Sequence, residues 1–158
     1  MKILGLDLSV ASTGLAIMDT EGLVPVWGKT IKTKARDGPD FRLASICDEI
    51  EGVLLSDKNL RTAAIESAFI HPKNKKGRDI ILGLHGAVTV LLFNYHVKSF
   101  KVTPRELKKF ITGEGGADKE MMMKALGTVY HIECENDDVA DAVALCLWLK
   151  ETMMEEAG

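Results

Sequence analysis

The sequence has no uninterrupted apolar stretch approaching the roughly 18 residues that a bilayer span requires; the longest, Ala142 to Leu149, has eight. No membrane association is expected. Nor is a secretory leader, because Met1-Lys2-Ile3-Leu4-Gly5-Leu6-Asp7 sets a carboxylate where an apolar leader core would have to continue. Cysteine is scarce: Cys47, Cys134 and Cys146 are odd in number and lack paired spacing. That excludes a disulfide framework and suits free thiols in a reducing cytoplasm. Internal repeats, low-complexity tracts and linkers are missing too. So is an excess of positive charge, with 20 Lys and Arg against 23 Asp and Glu for a net charge of -3. A nucleic-acid partner then depends on how charge is distributed, not on its sum. What is present is 158 residues, 46% of them apolar, enough for one domain spanning residues 1–158 with its own core.

The charges are segregated along the chain. Lys29, Lys32, Lys34 and Arg36 form one basic run without an acid, and Lys73, Lys75, Lys76 and Arg78 form a second. Lys98, Lys101, Arg105, Lys108 and Lys109 form a third, opposed only by Glu106. The sign then reverses: Glu133, Glu135, Asp137, Asp138 and Asp141 fall between His131 and Asp141 with no Lys or Arg among them. Basic runs around an acidic focus are what a phosphate-handling metal site needs, whereas any one run alone suits an ordinary solvated face.

Apolar periodicity predicts strands at Lys2–Leu8, Leu15–Met18 and Val24–Thr33, with a turn over Ser9–Gly14, so the chain opens as an antiparallel meander. A helix capped by Asp40 follows, carrying Leu43, Ile46, Cys47, Ile50, Val53 and Leu54, and then a strand at Arg61–Glu66. Ile80 to Tyr95 reads as a second helix and Val97–Val102 as a strand. Pro104 opens a helix to Phe110, Asp118–Leu126 is a short helix, and a last helix runs from Asn136 or Asp137 towards Met153. A meander followed by alternating helices and strands gives an α/β fold, a mixed five-stranded sheet with helices on both faces.

Four carboxylates stand out against this frame. Asp7 closes the first strand and Glu66 the fourth. If those strands are parallel neighbours, both acids emerge at the same sheet edge, where ligand sites of open sheets collect. Asp138 and Asp141 are three apart on a helix and so share a face. Four acids in so apolar a setting would repel one another and raise their own pKa values unless divalent cations neutralise them. An all-oxygen donor set favours Mg²⁺, with Mn²⁺ as a substitute, over zinc. Two such ions about 3.5–4 Å apart support in-line phosphodiester hydrolysis. Gly113-Glu114-Gly115-Gly116 lacks the ending of a nucleotide-binding loop, and His131 with Cys134 supplies two zinc ligands at most.

Taken together, Ile3-Leu4-Gly5-Leu6-Asp7 with Thr13-Gly14, Ala64-Ile65-Glu66 with Phe69, the basic stretch to Lys108 with Thr112-Gly113 through Ala117-Asp118-Lys119, and Asp137-Asp138-Val139-Ala140-Asp141-Ala142 resemble the RuvC family of Holliday junction resolvases. The resemblance covers nearly the full length. It implies an RNase H-like fold, a homodimer acting on branched DNA, and a two-metal endonuclease in which Asp7, Glu66, Asp138 and Asp141 are the catalytic, metal-holding acids. It also implies that Lys108 and Lys119 meet phosphates near the cut and that Phe69 stacks on opened bases; the basic run Lys73, Lys75, Lys76 and Arg78, more basic than the family pattern, is expected from its charge to add DNA backbone contacts. Leu8-Ser9 stands where the family usually has Pro-Gly, and His85-Gly86 where it has Arg-Gly; such departures resemble phage-encoded members. Two other readings compete: an RNase H-like nuclease acting on RNA or RNA–DNA hybrids, and a non-catalytic DNA- or nucleotide-binding relative, which would have no need of the Asp138/Asp141 pair.

Overall fold

In the computed structural model, residues 1–22, 24–68 and 75–157 are described, with only the backbone at 75, 76 and 157. The five expected strands form one sheet: β1 (Lys2–Asp7), β2 (Ser12–Asp19), β3 (Pro25–Lys32), β4 (Leu60–Glu66) and β5 (Lys98–Val102). Their order is β3-β2-β1-β4-β5. β1 pairs antiparallel with β2 and β2 with β3, whereas β1, β4 and β5 run parallel. The sheet is therefore mixed, and parallel pairing requires the crossovers that helices supply. These are α1 (Pro39–Ser56) and α2 (Lys75–Asn94), with α3 (Pro104–Thr112), α4 (Lys119–Thr128) and α5 (Asp137–Ala157) after β5.

Side-chain alternation along the strands divides the core into two layers. Leu4, Leu6, Leu15, Ile17, Ala63 and Ile65 pack with Ile46, Ile50 and Leu54 of α1 and Leu84, Val88 and Leu92 of α2. Ile3, Ala16, Met18 and Ala64 face the other way, against α3, α4 and α5. On that second face, register aligns Ala64, Gly5, Ala16 and Gly28 in one row across four strands. Helix α5 lies on this row of small residues. A Cβ added at Gly5 would stand 2.0 Å from the Ala142 carbonyl oxygen, and one at Gly14 would stand 2.0 Å from that of Asp138. No real contact is so short, so the helix backbone rests directly on the sheet.

Most element ends shift by a few residues from expectation, and three of the starts have a clear cause. β2 begins at Ser12, not Leu15, because Ser12, Thr13 and Gly14 pair with Lys32, Ile31 and Thr30 of β3. Gly38, not Asp40, is the N-cap of α1, with Pro39 opening the helix and Asp40 in its first turn. Proline lacks the N–H that a cap would satisfy and is preset for the first helical position. α2 starts at Lys75, ahead of Ile80; residues 75–79 include no apolar side chain, so periodicity had nothing to mark there.

Candidate active site

Asp7 and Glu66 are the last residues of β1 and β4, adjacent parallel strands. Alternation puts them on the face of Gly5 and Ala64, towards α5. The first turn of α5 is held over Asp7 by three links. Gly14, opposite Asp7 in the register, lies beneath the Asp138 backbone. The Ser12 hydroxyl donates to Asp138 Oδ2. The Asn136 side chain caps the helix by accepting from the Val139 N–H at 3.0 Å and is itself held by the Thr30 hydroxyl at 3.2 Å.

Electrostatics shows that the acids share one environment. Burial pushes Asp7 up to about 7, reinforced by the charges of Asp141, Glu66 and Asp138 and opposed by Lys119. Glu66 is raised to about 7 by burial and by Asp141, against Lys108. Asp141 rises to about 6 through burial, eased by Lys119 and Lys108 and strengthened by Asp137 and Asp138. These are the marks of desolvated carboxylates lacking enough countercharge.

Two cations border them. Lys108 is on α3, whose start is fixed by a capping box between Thr103 and Glu106. Lys119 opens α4 behind its cap Asp118 and pairs with Asp137. That hydrogen bond is the main reason its ammonium pKa is raised, while Asp137 is lowered by it. Glu66, Asp141, Lys108, Lys119, Pro104 and Met122 line a cleft of about 400 Å³.

The donor set is all carboxylate oxygen, which suits hard divalent cations. Among the described residues, no three His, Cys, Asp or Glu side chains are drawn together as tightly as a filled ion cage would hold them. Asp138 is turned to the Ser12 hydroxyl. The four expected acids and the two expected lysines thus gather at one place. Arg78 does not join them: it is exposed, and among the described residues it pairs with its neighbour Asp79, at 3.3 Å. Phe69 and Lys73, with the side chains of Lys75 and Lys76, lie outside the described residues. Sequence reading missed Ser12 and Thr30 as tethers, and the cleft-lining roles of Pro104 and Met122. A hydroxyl two residues before Gly14 carries no signal until β2 is known to pass beneath α5.

A sequence model described as crossover junction endodeoxyribonuclease RuvC matches residues 3–148 of this chain. A protein of that name from Rickettsia massiliae (strain Mtu5) is 34% identical over 153 residues, covering 92% of this chain and 94% of its own. The solved structure of Thermus thermophilus RuvC superposes with a TM-score of 0.80 at 22% identity, over 98% of this chain and 97% of its own. The T. thermophilus RuvC solved in complex with a Holliday junction substrate also gives 0.80, at 20% identity, over 100% of this chain and 97% of its own.

Proposed function

This chain belongs to the RuvC family of crossover junction endodeoxyribonucleases, built on the RNase H-like fold, and from that premise we propose that it resolves Holliday junctions by metal-dependent hydrolysis of one phosphodiester bond per subunit. The observation that carries this reading is the convergence of Asp7, Glu66, Asp138 and Asp141, from three separate elements, beside Lys108 and Lys119, with Asp7, Glu66 and Asp141 desolvated and the charge of Asp138 near enough to act on Asp7 and Asp141. These four acids would hold two divalent cations, Mg²⁺ or in its place Mn²⁺. Bound there, such ions lower the pKa of the attacking water and neutralise charge that builds on the phosphate.

The chain's own side chains do the rest. Lys108 and Lys119 offer positive charge to the phosphate at the cleft mouth. Asp137 engages the Lys119 ammonium, and Ser12 orients Asp138. Burial of Asp7 and Glu66 keeps bulk water from screening the attraction of these two carboxylates for a cation.

The working form is a homodimer, so that two sites face two strands of a four-way junction. Support comes from α2, whose outer stripe leaves Leu82, Val90 and Phe93 exposed at 45%, 60% and 78%, with Gly86 among them. Isolated exposed apolar residues are ordinary, but a stripe at helical spacing marks a contact surface. The proposal is completed by a single domain spanning residues 1–158 that works on DNA in the cytoplasm; among the described residues no helix is long and apolar enough to cross a membrane.

The test is incubation with a synthetic four-way junction and Mg²⁺, beside a linear duplex and an RNA–DNA hybrid. Junction cleavage is expected to exceed that of both controls. Asp7→Asn should lower cutting at least ~10³-fold while junction binding persists. Equal loss of both activities would remove Asp7 from the chemistry, and preference for the hybrid would reassign the substrate.

A further inference from the structure

The sheet edge that carries the acids continues, on the β3 side, into a second set of cations. Lys32 ends β3 opposite Ser12 in the register, the residue whose hydroxyl holds Asp138. It shares its strand face with Thr30, which bonds to Asn136 at the start of α5. From Lys32 the chain turns through Lys34 and the short 3₁₀ turn Ala35–Asp37 into α1. This corner is braced. The Thr33 N–H donates to the Ala11 carbonyl at 3.1 Å, its hydroxyl donates to the Val10 carbonyl, and that hydroxyl accepts from Arg42 Nε at 2.8 Å. Val10 and Ala11 belong to the loop leaving Asp7, so the corner is tied to the first catalytic strand.

The cations on it are available. Lys32, Lys34 and Arg36 are exposed. Among the described residues Lys32 and Lys34 pair with no acid, and Arg36 meets only the adjacent Asp37, at 3.9 Å. Lys29, by contrast, is taken by Glu49. Asp37 and Asp40 are the acids of this corner, too few to balance Lys32, Lys34, Arg36 and Arg42. Lys108 and Lys119 border the carboxylates from the α3 and α4 side, and the β3 corner lies on the other. Such a row, with the acids in its middle, matches the evenly spaced negative charges of one nucleic-acid strand.

We infer that Lys32, Lys34 and Arg36 form a phosphate track that holds the cut strand on the side of the scissile bond opposite Lys108 and Lys119. The inference rests on the nuclease reading above. Its test is junction binding without divalent cations, measured across a salt series, for wild type, a K32Q/K34Q/R36Q variant and a K58Q/R61Q control at the far end of β4. Each lost phosphate contact lowers the slope of log K against log salt by about 0.9. The triple variant is expected to lose about 2 to 3 in slope, and phosphate-ethylation interference on one flank of the cut should vanish with it; the control should match wild type. A triple variant with the wild-type slope and interference pattern, or a control that loses as much, overturns the track. Failure of the wild type itself to bind the junction overturns the nuclease reading instead. Should the triple variant not fold, K34Q alone decides, with an expected slope loss of about 1.

Discussion

Asp7 bears a cost that a surface carboxylate avoids, since burial and three neighbouring acids lift its pKa to about 7. Below about pH 4 it is protonated in folded and unfolded chains alike. Between about 4 and 7 the folded chain keeps a proton that the unfolded chain has lost, so stability falls as pH rises through that window. Asp7→Asn removes the charge while keeping the shape. Without metal, the variant should melt about 5 °C above wild type at about pH 8, with the gap closing near pH 4. Thermal denaturation followed by circular dichroism measures both, and Mg²⁺ should raise the wild-type melting temperature more than that of the variant. A lower melting temperature for the variant at pH 8 would make Asp7 a structural carboxylate. All four acids were legible in the sequence, because strand ends and an i, i+3 spacing declare themselves locally. Ser12 and Thr30 were not: their partners Asp138 and Asn136 lie more than a hundred residues away in the chain.

Among the elements, α5 decides where half of the acids go. Its position depends on what the sheet beneath it omits, the side chains of Gly5 and Gly14. Gly5→Ala would drive a methyl into the Ala142 carbonyl and the Cys146 sulfur, neither of which can retreat within a helix buried on nearly every side. Overpacking of this kind costs about 3 kcal/mol, and urea denaturation should show it. Cutting should fall further than stability alone explains, because Asp141 shifts with Ala142. A variant with wild-type stability and activity would show that α5 has room to move. The existence and order of the elements could be read from periodicity, but their starts could not where polar residues lead: α2 opens on Lys75 and β2 on Ser12. In both places pairing or continuation of an existing element extends the structure past the point where the apolar pattern begins.

For the molecule as a whole, the mixed topology was legible because a meander followed by alternating helices and strands admits few sheets. Which helix face stays uncovered was not, since α2 is apolar on both its sheet-facing and outer sides. Phe93, 78% exposed, tests the assembly. Phe93→Glu should leave the fold intact and shift the protein from dimer to monomer in sedimentation velocity, with junction cutting reduced at least ~10-fold at nanomolar concentration. A monomeric wild type would place the two-strand cut in separate encounters. Helix α5 has a practical consequence at this scale. Its acids sit in the opening turns, while its last residue, Ala157, comes sixteen positions after Asp141, about 24 Å further along the axis. A fluorophore or immobilising tether joined beyond that end is carried on a stiff mast clear of the cleft, which makes it a suitable handle for watching single junctions being processed.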